Sequence, residues 1–533
     1  QITAMVDGAA PAIEGGNLAL QEREAKSLIY RTVIFCSMTS MLLGYDVGIM
    51  AGALPNMTED LDLSTTEEEI IAGSLNIVAG LCAVVAGYTA DKIGRRWALG
   101  IACLVFALGA AVMVSAINFG ILFVGRIITG IGVGFGLVIA PLYLSEVVPP
   151  EKRGFLVCLF DVVLNVGILE GYIVGYIVHS SMSTASGRWR VMIGVAILPP
   201  LIIIMGLRYL SESPRWLYYV GRDAQAKEVL LKMIPDQARA TQVEEDIKEV
   251  IAAEVSNSYK DVLCPETRAL KNALHISLGL AIGQQITGSE AVIYYTPEIM
   301  KQAGITNLSD QLLWALPVGV AKLAGELISV PLLDNQGRRP MLIIGGSMQA
   351  VTLLLLASSF VAKWGFTATI VSVSLFMFFF EVAAPISWLM PSEVYSTGKR
   401  GKAQSVAVTV NRIVSGTIAV SFLSLTKSLS VGGTFYLFAA LAFFTTVWYY
   451  TTVPETMGLT LEEVTQVLAG TKVMKVTNKE GYDNLRNGPE LKLEAEPGDE
   501  LGEEAELNVK VNDVKVNGES RLSSHLVLHE GEH

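Results

Sequence analysis

Charge is scarce in this chain. Asp, Glu, Lys and Arg make up 17% of its 533 residues, against 51% hydrophobic. Of those 90 charged residues, 21 (14 acids and 7 bases) fall from Lys475 onward, so the body before that tail is poorer still. With a mean hydropathy of +0.47, this composition excludes a water-soluble globular domain. Histidine and cysteine are sparse too, at five each. Cys36, Cys82, Cys103, Cys158 and Cys264 have no zinc spacing, and four of them fall in apolar runs, so neither a metal site nor an outside disulfide is expected. No nucleophile–base pair stands out. An enzyme, a bound cofactor and a nucleic-acid partner are therefore not expected.

Apolar runs are abundant. Twelve stretches of about 20 residues, from 32–54 to 433–453, each suffice to cross a hydrocarbon core of ~30 Å as a helix. A polar stretch from Glu212 to about Lys271 divides them six and six. An even number puts both termini on one side. Basic residues in short loops (Lys92, Arg95, Arg96, Lys152, Arg153, Arg338, Arg339, Lys399, Arg400, Lys402) make that side the cytoplasm. The first outer loop, "NMTEDLDLSTTEEE", has six acids and no Lys or Arg. Asn56 and Asn307 open N-x-[ST] sequons on the outer side. The acidic tail reads as largely disordered.

Two charges interrupt the runs. Asp46, in "MLLGYDVGIM", costs roughly 2.5–3.5 kcal/mol near a bilayer centre. Arg126 lies in the fourth run, in "FVGRIITGIGVG". Asp46 is 9 residues from Pro55 and Arg126 is 8 from Asn118, so both sit about 12–13 Å from the outer ends of their helices. Equal depth permits a pair, either structural or functional.

The halves repeat. "DKIGRR" (91–96) follows the second run and "DNQGRR" (334–339) the eighth. "SEVVPPEKRG" (145–154) ends the fourth and "SEVYSTGKRG" (392–401) the tenth. Two dissimilar motifs in one order predict a parallel six-helix repeat with a site between halves near mid-membrane. Beyond anchoring, Glu146 with Arg153, Glu393 with Arg400, and the arginines Arg95 and Arg338 are expected to pair across the inner face and gate access.

With "GYDVGIMAG", "GRIITGIGVG", "SESPRWL", "GQQITG" and "PETMGLTLEE" added, the chain resembles sugar porters of the major facilitator superfamily over residues 28–465. Ser211 and Met457 depart mildly, where the family usually has Pro and Lys. The resemblance implies an all-α membrane protein of twelve transmembrane helices in two parallel six-helix repeats, the major facilitator fold. It divides the chain into a cytoplasmic N-terminal tail (1–31), a first bundle (32–210), a cytoplasmic helical linker (211–271), a second bundle (272–453) and a cytoplasmic tail (454–533). It adds Glu212, Arg215 and Glu455 to the inner ring of ion pairs. It assigns Asp46 and Arg126 to proton coupling, since proton-coupled porters carry Asp at this place and facilitative glucose carriers usually Asn.

Gln284, Gln285, Trp388 and Asn411 match hexose-binding positions of these porters, although amides in spans also serve helix–helix hydrogen bonding. Asp161, Glu290 and Lys322 depart from the hexose pattern, replacing Gln, Asn and Asn, and with "VNRI" (410–413) resemble the polyol and inositol branch. Carboxylates accept from paired hydroxyls more strongly than amides do. Lys322 either neutralises a cavity acid or pairs with Glu326 one turn on. The expectation is a monomer, in the plasma membrane or an internal or vacuolar one, moving polyols or monosaccharides with protons as the coupling ion. A facilitative hexose or inositol carrier and a non-transporting sugar sensor are the alternatives.

Overall fold

The structure is a computed structural model. It describes residues 10–148, 150–255, 259–395, 397–459 and 461–470, with short strands at 473–476, 508–509 and 524–529. The first half holds α1 (Ala10–Leu61), α2 (Thr65–Ile93), α3 (Arg95–Val114), α4 (Phe119–Val147), α5 (Pro150–Ser181), α6 (Ala185–Val195) and α7 (Leu198–Gly206). The linker holds α8 (Pro214–Tyr219), α9 (Asp223–Met233), α10 (Gln237–Val255) and α11 (Tyr259–Leu263). The second half holds α12 (Arg268–Ile286), α13 (Ser289–Tyr294), α14 (Thr296–Gln302), α15 (Leu308–Gln336), α16 (Arg338–Val361), α17 (Phe366–Val394) and α18 (Thr397–Thr452), followed by α19 (Leu461–Ala469).

Ten of the described helical segments, with α6 and α7 counted as one, are long and apolar enough to cross a membrane. One of these, α18, turns at Ser430 (φ 65°, ψ 164°) and supplies two crossings. The seventh crossing is the broken segment α12–α14, which completes twelve. Its break falls at Gly288, whose φ of 85° suits a residue without a side chain. The sixth crossing is divided between α6 and α7, where prolines open α7.

Other ends are set by local chemistry. Ser64 and Glu67 form a reciprocal capping box at α2. Asn118 caps α4, accepting from the Ile121 N–H at 3.0 Å. Lipid offers no hydrophobic drive between helices, so small residues set the contacts. Gly44 and Gly48 on α1 meet Gly167 and Gly171 on α5 with their backbones nearly touching; a Cβ on Gly48 would lie 2.8 Å from Ile168 Cα. Gly48→Val would force apart the helix that carries Asp46. Large apolar side chains such as Leu81, Ile101, Leu104 and Leu108 face outward, which a lipid environment explains and water would not.

Three details differ from the sequence reading. The N-terminal region is helical from Ala10, continuous with the first crossing. Asn56 is wholly buried and donates to the Gly52 carbonyl at 2.7 Å, so its sequon is closed to modification. Asn307 is exposed and caps α15. In the tail, α19 packs against α12, and three short strands, β1 (Val473–Val476), β2 (Asn508–Val509) and β3 (Ser524–His529), pair antiparallel in the order β1–β3–β2. The remainder of the tail lies outside the described residues.

Candidate functional site

Asp46 and Arg126 meet. Arg126 Nη1 lies 3.0 and 3.2 Å from the two Asp46 carboxylate oxygens, with the two residues 0% and 2% exposed respectively. Arg126 Nε donates to the Ile71 carbonyl of α2 at 3.1 Å, and its Nη2 has no hydrogen-bond partner. The guanidinium therefore holds a buried carboxylate while keeping one donor unspent.

A second network lies in the C-terminal half. The break at Gly288 brings Gln284 and Gln285, at the end of α12, beside Glu290 in the first turn of α13. Asn411 Nδ2 donates to Gln284 Oε1 at 2.6 Å, and Gln285 Nε2 donates to Asn411 Oδ1 at 3.3 Å. Arg412 then ties the group together. Its Nε and Nη2 donate to Asn411 Oδ1 at 3.0 and 2.7 Å, its Nη1 to Glu290 at 2.9 Å, and its guanidinium lies 5.9 Å from the Trp388 ring centre. The structure thus brings Gln284, Gln285, Glu290, Trp388 and Asn411 together around an arginine that sequence reasoning passed over.

Both sites hydrogen-bond to α2. Ile71 accepts from Arg126. One and a half turns on, Asn76 donates to the Tyr294 hydroxyl at 3.0 Å and accepts from Arg412 at 3.5 Å. Tyr294 lies within electrostatic reach of both ion pairs. Asn76 and Arg412 are each a polar residue inside an apolar run, which is the signal that identified Asp46.

Lys322 pairs with Glu381 of α17 rather than with Glu326 on its own helix. Glu381 was missed as well, although it stands alone among apolar residues in "FMFFFEVAAP". Asp161, half-buried on α5, makes no hydrogen bond or ion pair among the described residues and faces Lys322 electrostatically.

At the end that carries the basic loops, the repeated motifs build one brace twice. Gly94 (φ 94°) and Gly337 (φ 88°) precede α3 and α16. The free N–H groups of Arg95 and Arg96 donate to Glu212 at 2.9 and 3.1 Å, and those of Arg338 and Arg339 to Glu455 at 3.0 and 2.9 Å. Each acid caps the positive end of a helix. Burial pushes the Glu212 carboxyl up, and these backbone donors oppose the shift. Arg95 forks onto both oxygens of Glu146 at 2.9 Å, and Arg338 reaches Glu393 Oε1 at 3.1 and 2.9 Å.

Among the described residues, the glutamates of the expected inner ring meet the first arginine of each GRR motif. Glu146 is held by Arg95 and Glu393 by Arg338, each within its own half, because α3 and α16 start at the level where α4 and α17 end. Arg400 lines the same small cavity as Arg338 and Glu393, and Arg215 opens α8. The side chain of Arg153 lies outside the described residues. Besides the Asn76 contacts with Tyr294 and Arg412, the halves are joined at the opposite end. Glu69 accepts from the Ser424 N–H and hydroxyl at 2.6 and 2.7 Å, and Lys427 donates to Thr65 at 2.6 Å.

Comparison with known proteins agrees with this architecture. The chain is 36% identical over 469 residues to probable polyol transporter 4 of Arabidopsis thaliana, covering 84% of this chain and 88% of that one. It is 28% identical to the galactose–proton symporter of Escherichia coli K12, with 86% and 98% covered. Its fold superposes on the proton:xylose symporter XylE bound to 6-bromo-6-deoxy-D-glucose with a TM-score of 0.72 at 25% identity, covering 83% of this chain and 99% of the other. The match to the family described as sugar (and other) transporter spans residues 32–468, and the chain belongs to that family as a multi-pass membrane protein.

Proposed function

We propose that the chain is a proton-coupled symporter of polyols and monosaccharides working by alternating access. The observation that carries this reading is the fully buried Asp46–Arg126 pair, joined through α2 to a polar network beside it. Ionised Asp46 holds Arg126 in place. A proton arriving from outside neutralises Asp46, releases the guanidinium, and through Ile71 and Asn76 biases the position of Arg412 and Glu290. Coupling between the two sites is reciprocal, so substrate binding favours protonation equally.

Gln284, Gln285 and Asn411 offer both donors and acceptors to hydroxyls, and Trp388 presents an apolar face to C–H surfaces. Glu290, Asp161 and Lys322 replace neutral amides with charge. That suits a solute presenting several adjacent hydroxyls, and the polyol transporters among the relatives support this class. The braces at Arg95–Glu146 and Arg338–Glu393 keep each half rigid while the halves rock. Glu69–Ser424 and Lys427–Thr65 are then the contacts that part when the outer side opens.

The test is current and uptake with a panel of sorbitol, myo-inositol and xylose at two external pH values. Inward current should grow with acidity, and Asp46→Asn should abolish uphill uptake while leaving solute exchange. Undiminished concentrative uptake by Asp46→Asn would remove this reading.

A further inference from the structure

Between α5, α15 and α17 lies a buried charge cluster that neither the Asp46–Arg126 pair nor the Arg412 network uses. Lys322 and Glu326 stand one turn apart on α15. Between them in sequence, Gly325 lets α17 approach: a methyl group there would sit 3.1 Å from Glu381 Cβ. Glu381 is thereby brought against Lys322, and the two pair with side chains 5% and 6% exposed. Asp161 faces the cluster from α5, within electrostatic reach of both Lys322 and Glu326.

Glu326 is the anomaly. It is 0% exposed, and neither of its carboxylate oxygens receives a hydrogen bond. The other helices against α15 offer little: α14 brings Glu298 and Lys301 at the outer surface, and α16 brings Arg338 and Arg339 at the cytoplasmic end. The neighbouring Glu290 is already neutralised by Arg412. Three acids thus face one ammonium, and Lys322 is engaged by Glu381. Ionised, Glu326 would be a buried charge without a donor, which costs several kcal/mol at this depth.

We propose that Glu326, with Lys322, Glu381 and Asp161, forms a second proton-carrying site where α5 of the first half meets α15 and α17 of the second, so that each cycle moves two protons with one solute. This rests on the symport reading above and extends it. A proton from the outer solution is taken up by Asp161, the partly exposed member, and passes to Glu326. It leaves by the same route when the cavity faces the cytoplasm, and Lys322 stays charged throughout. Without that proton the cluster holds three negative charges against one positive, an excess that a cavity closing dry over a solute cannot bury, whereas the empty cavity closes with water around it. With it, one negative charge remains on Asp161, which solute hydroxyls cover by donating to it. Closure over solute therefore needs the proton, and that requirement is the coupling.

The test uses the full chain in proteoliposomes at zero membrane potential. Steady accumulation of the best-transported member of the sorbitol, myo-inositol and xylose panel is measured against an imposed pH difference. Each coupled proton multiplies accumulation about tenfold per pH unit. The wild type should rise about a hundredfold per unit, Glu326→Asp should do the same, and Glu326→Gln should rise about tenfold with exchange intact. A wild-type slope of about tenfold overturns the proposal, as does an unchanged slope in Glu326→Gln or a steep slope that requires sodium. Should Glu326→Gln lack exchange and so be misfolded, Glu381→Gln gives the same readout. It frees Lys322 to neutralise Glu326 without a proton, and a slope still at the wild-type value overturns the proposal. A wild type that does not accumulate solute at all defeats the underlying symport reading instead. If Asp46→Asn alone loses accumulation while Glu326→Gln matches the wild type, the symport reading stands and only the second proton is lost.

Discussion

The two six-helix halves share a frame and differ in what they bury. At the end that carries the basic loops each has a left-handed glycine, two helix-opening N–H groups capped by a distant glutamate, and an arginine forked onto a glutamate of the next helix. In the middle the resemblance stops. The N-terminal half buries one acid and one arginine, Asp46 and Arg126, with little else that is charged. The C-terminal half buries Glu290–Arg412, Lys322–Glu381 and Glu326. Duplicated parts do the structural work common to both halves. On the proposed reading the unlike parts divide the labour, the single ion pair of one half serving proton coupling and the larger polar network of the other meeting solute.

The largest effect should come from exchanging the fates of the two buried arginines. Arg126→Met strands Asp46 without a cation, and breaking a buried pair costs about 3–5 kcal/mol. Uphill uptake should vanish. Arg412→Met removes donors from Glu290 and Asn411, each worth about 1.5–3 kcal/mol where a charge is involved. It should raise KM by tenfold or more while uptake still responds to external pH. Uptake at saturating solute across a pH series separates the two. A pH-independent Arg412→Met with a pH-responsive Arg126→Met would reverse the assignment of the halves.

A smaller effect probes the shared frame. The Arg95–Glu146 brace is the drier of the two, with side chains 8% and 1% exposed against 14% and 21% for Arg338–Glu393. Arg95 also reaches Asp91 at 3.0 Å. Buried pairs lose more when one partner goes than wet ones do. Arg95→Gln should therefore lower transport rate and the yield of folded protein several-fold more than Arg338→Gln does, with KM little changed in either. Equal losses would mean that burial does not distinguish the copies.

Some of this was legible in the sequence, and the boundary is physical. Span count and repeat follow from run length and the matched loop motifs, because lipid fixes the length of each crossing. The meeting of Asp46 with Arg126 was visible by counting residues from each helix's outer end, since helical rise converts sequence into depth. The members of the inner ion pairs were visible as well, but which arginine meets which glutamate was not. Glu146 and Arg153 are close in sequence, but Arg95 reaches Glu146 through the packing of α3 on α4, which periodicity does not encode. The same holds for Lys322, whose partner Glu381 lies on a different helix because Gly325 opens the way. Arg412 and Glu381 were visible as isolated charges in apolar runs and were overlooked beside the more recognisable Asn411 and Trp388. The break in the seventh span was announced by "ITGSE" but concealed by the apolar residues on either side.

The smallest expected effect concerns the caps. Glu212 and Glu455 occupy matching places, each accepting N–H groups at the start of a helix. The Glu212 carboxyl is raised above its ordinary value of 4.5, mainly because burial penalises its charge. Between that ordinary value and the raised one, the native protein binds more protons than the unfolded chain. Stability contributed through Glu212 therefore increases as pH falls through that window and is lost as pH rises out of it. Gln at 212 does not titrate and lacks this dependence. The melting midpoint of the solubilised wild type, taken relative to Glu212→Gln, should move in the wild type's favour by a few degrees as pH is lowered from neutral toward 4.5. A difference that shrinks on acidification would mean that the N–H donors of α3 outweigh burial, so that Glu212 acts as an ionised cap held below its ordinary value.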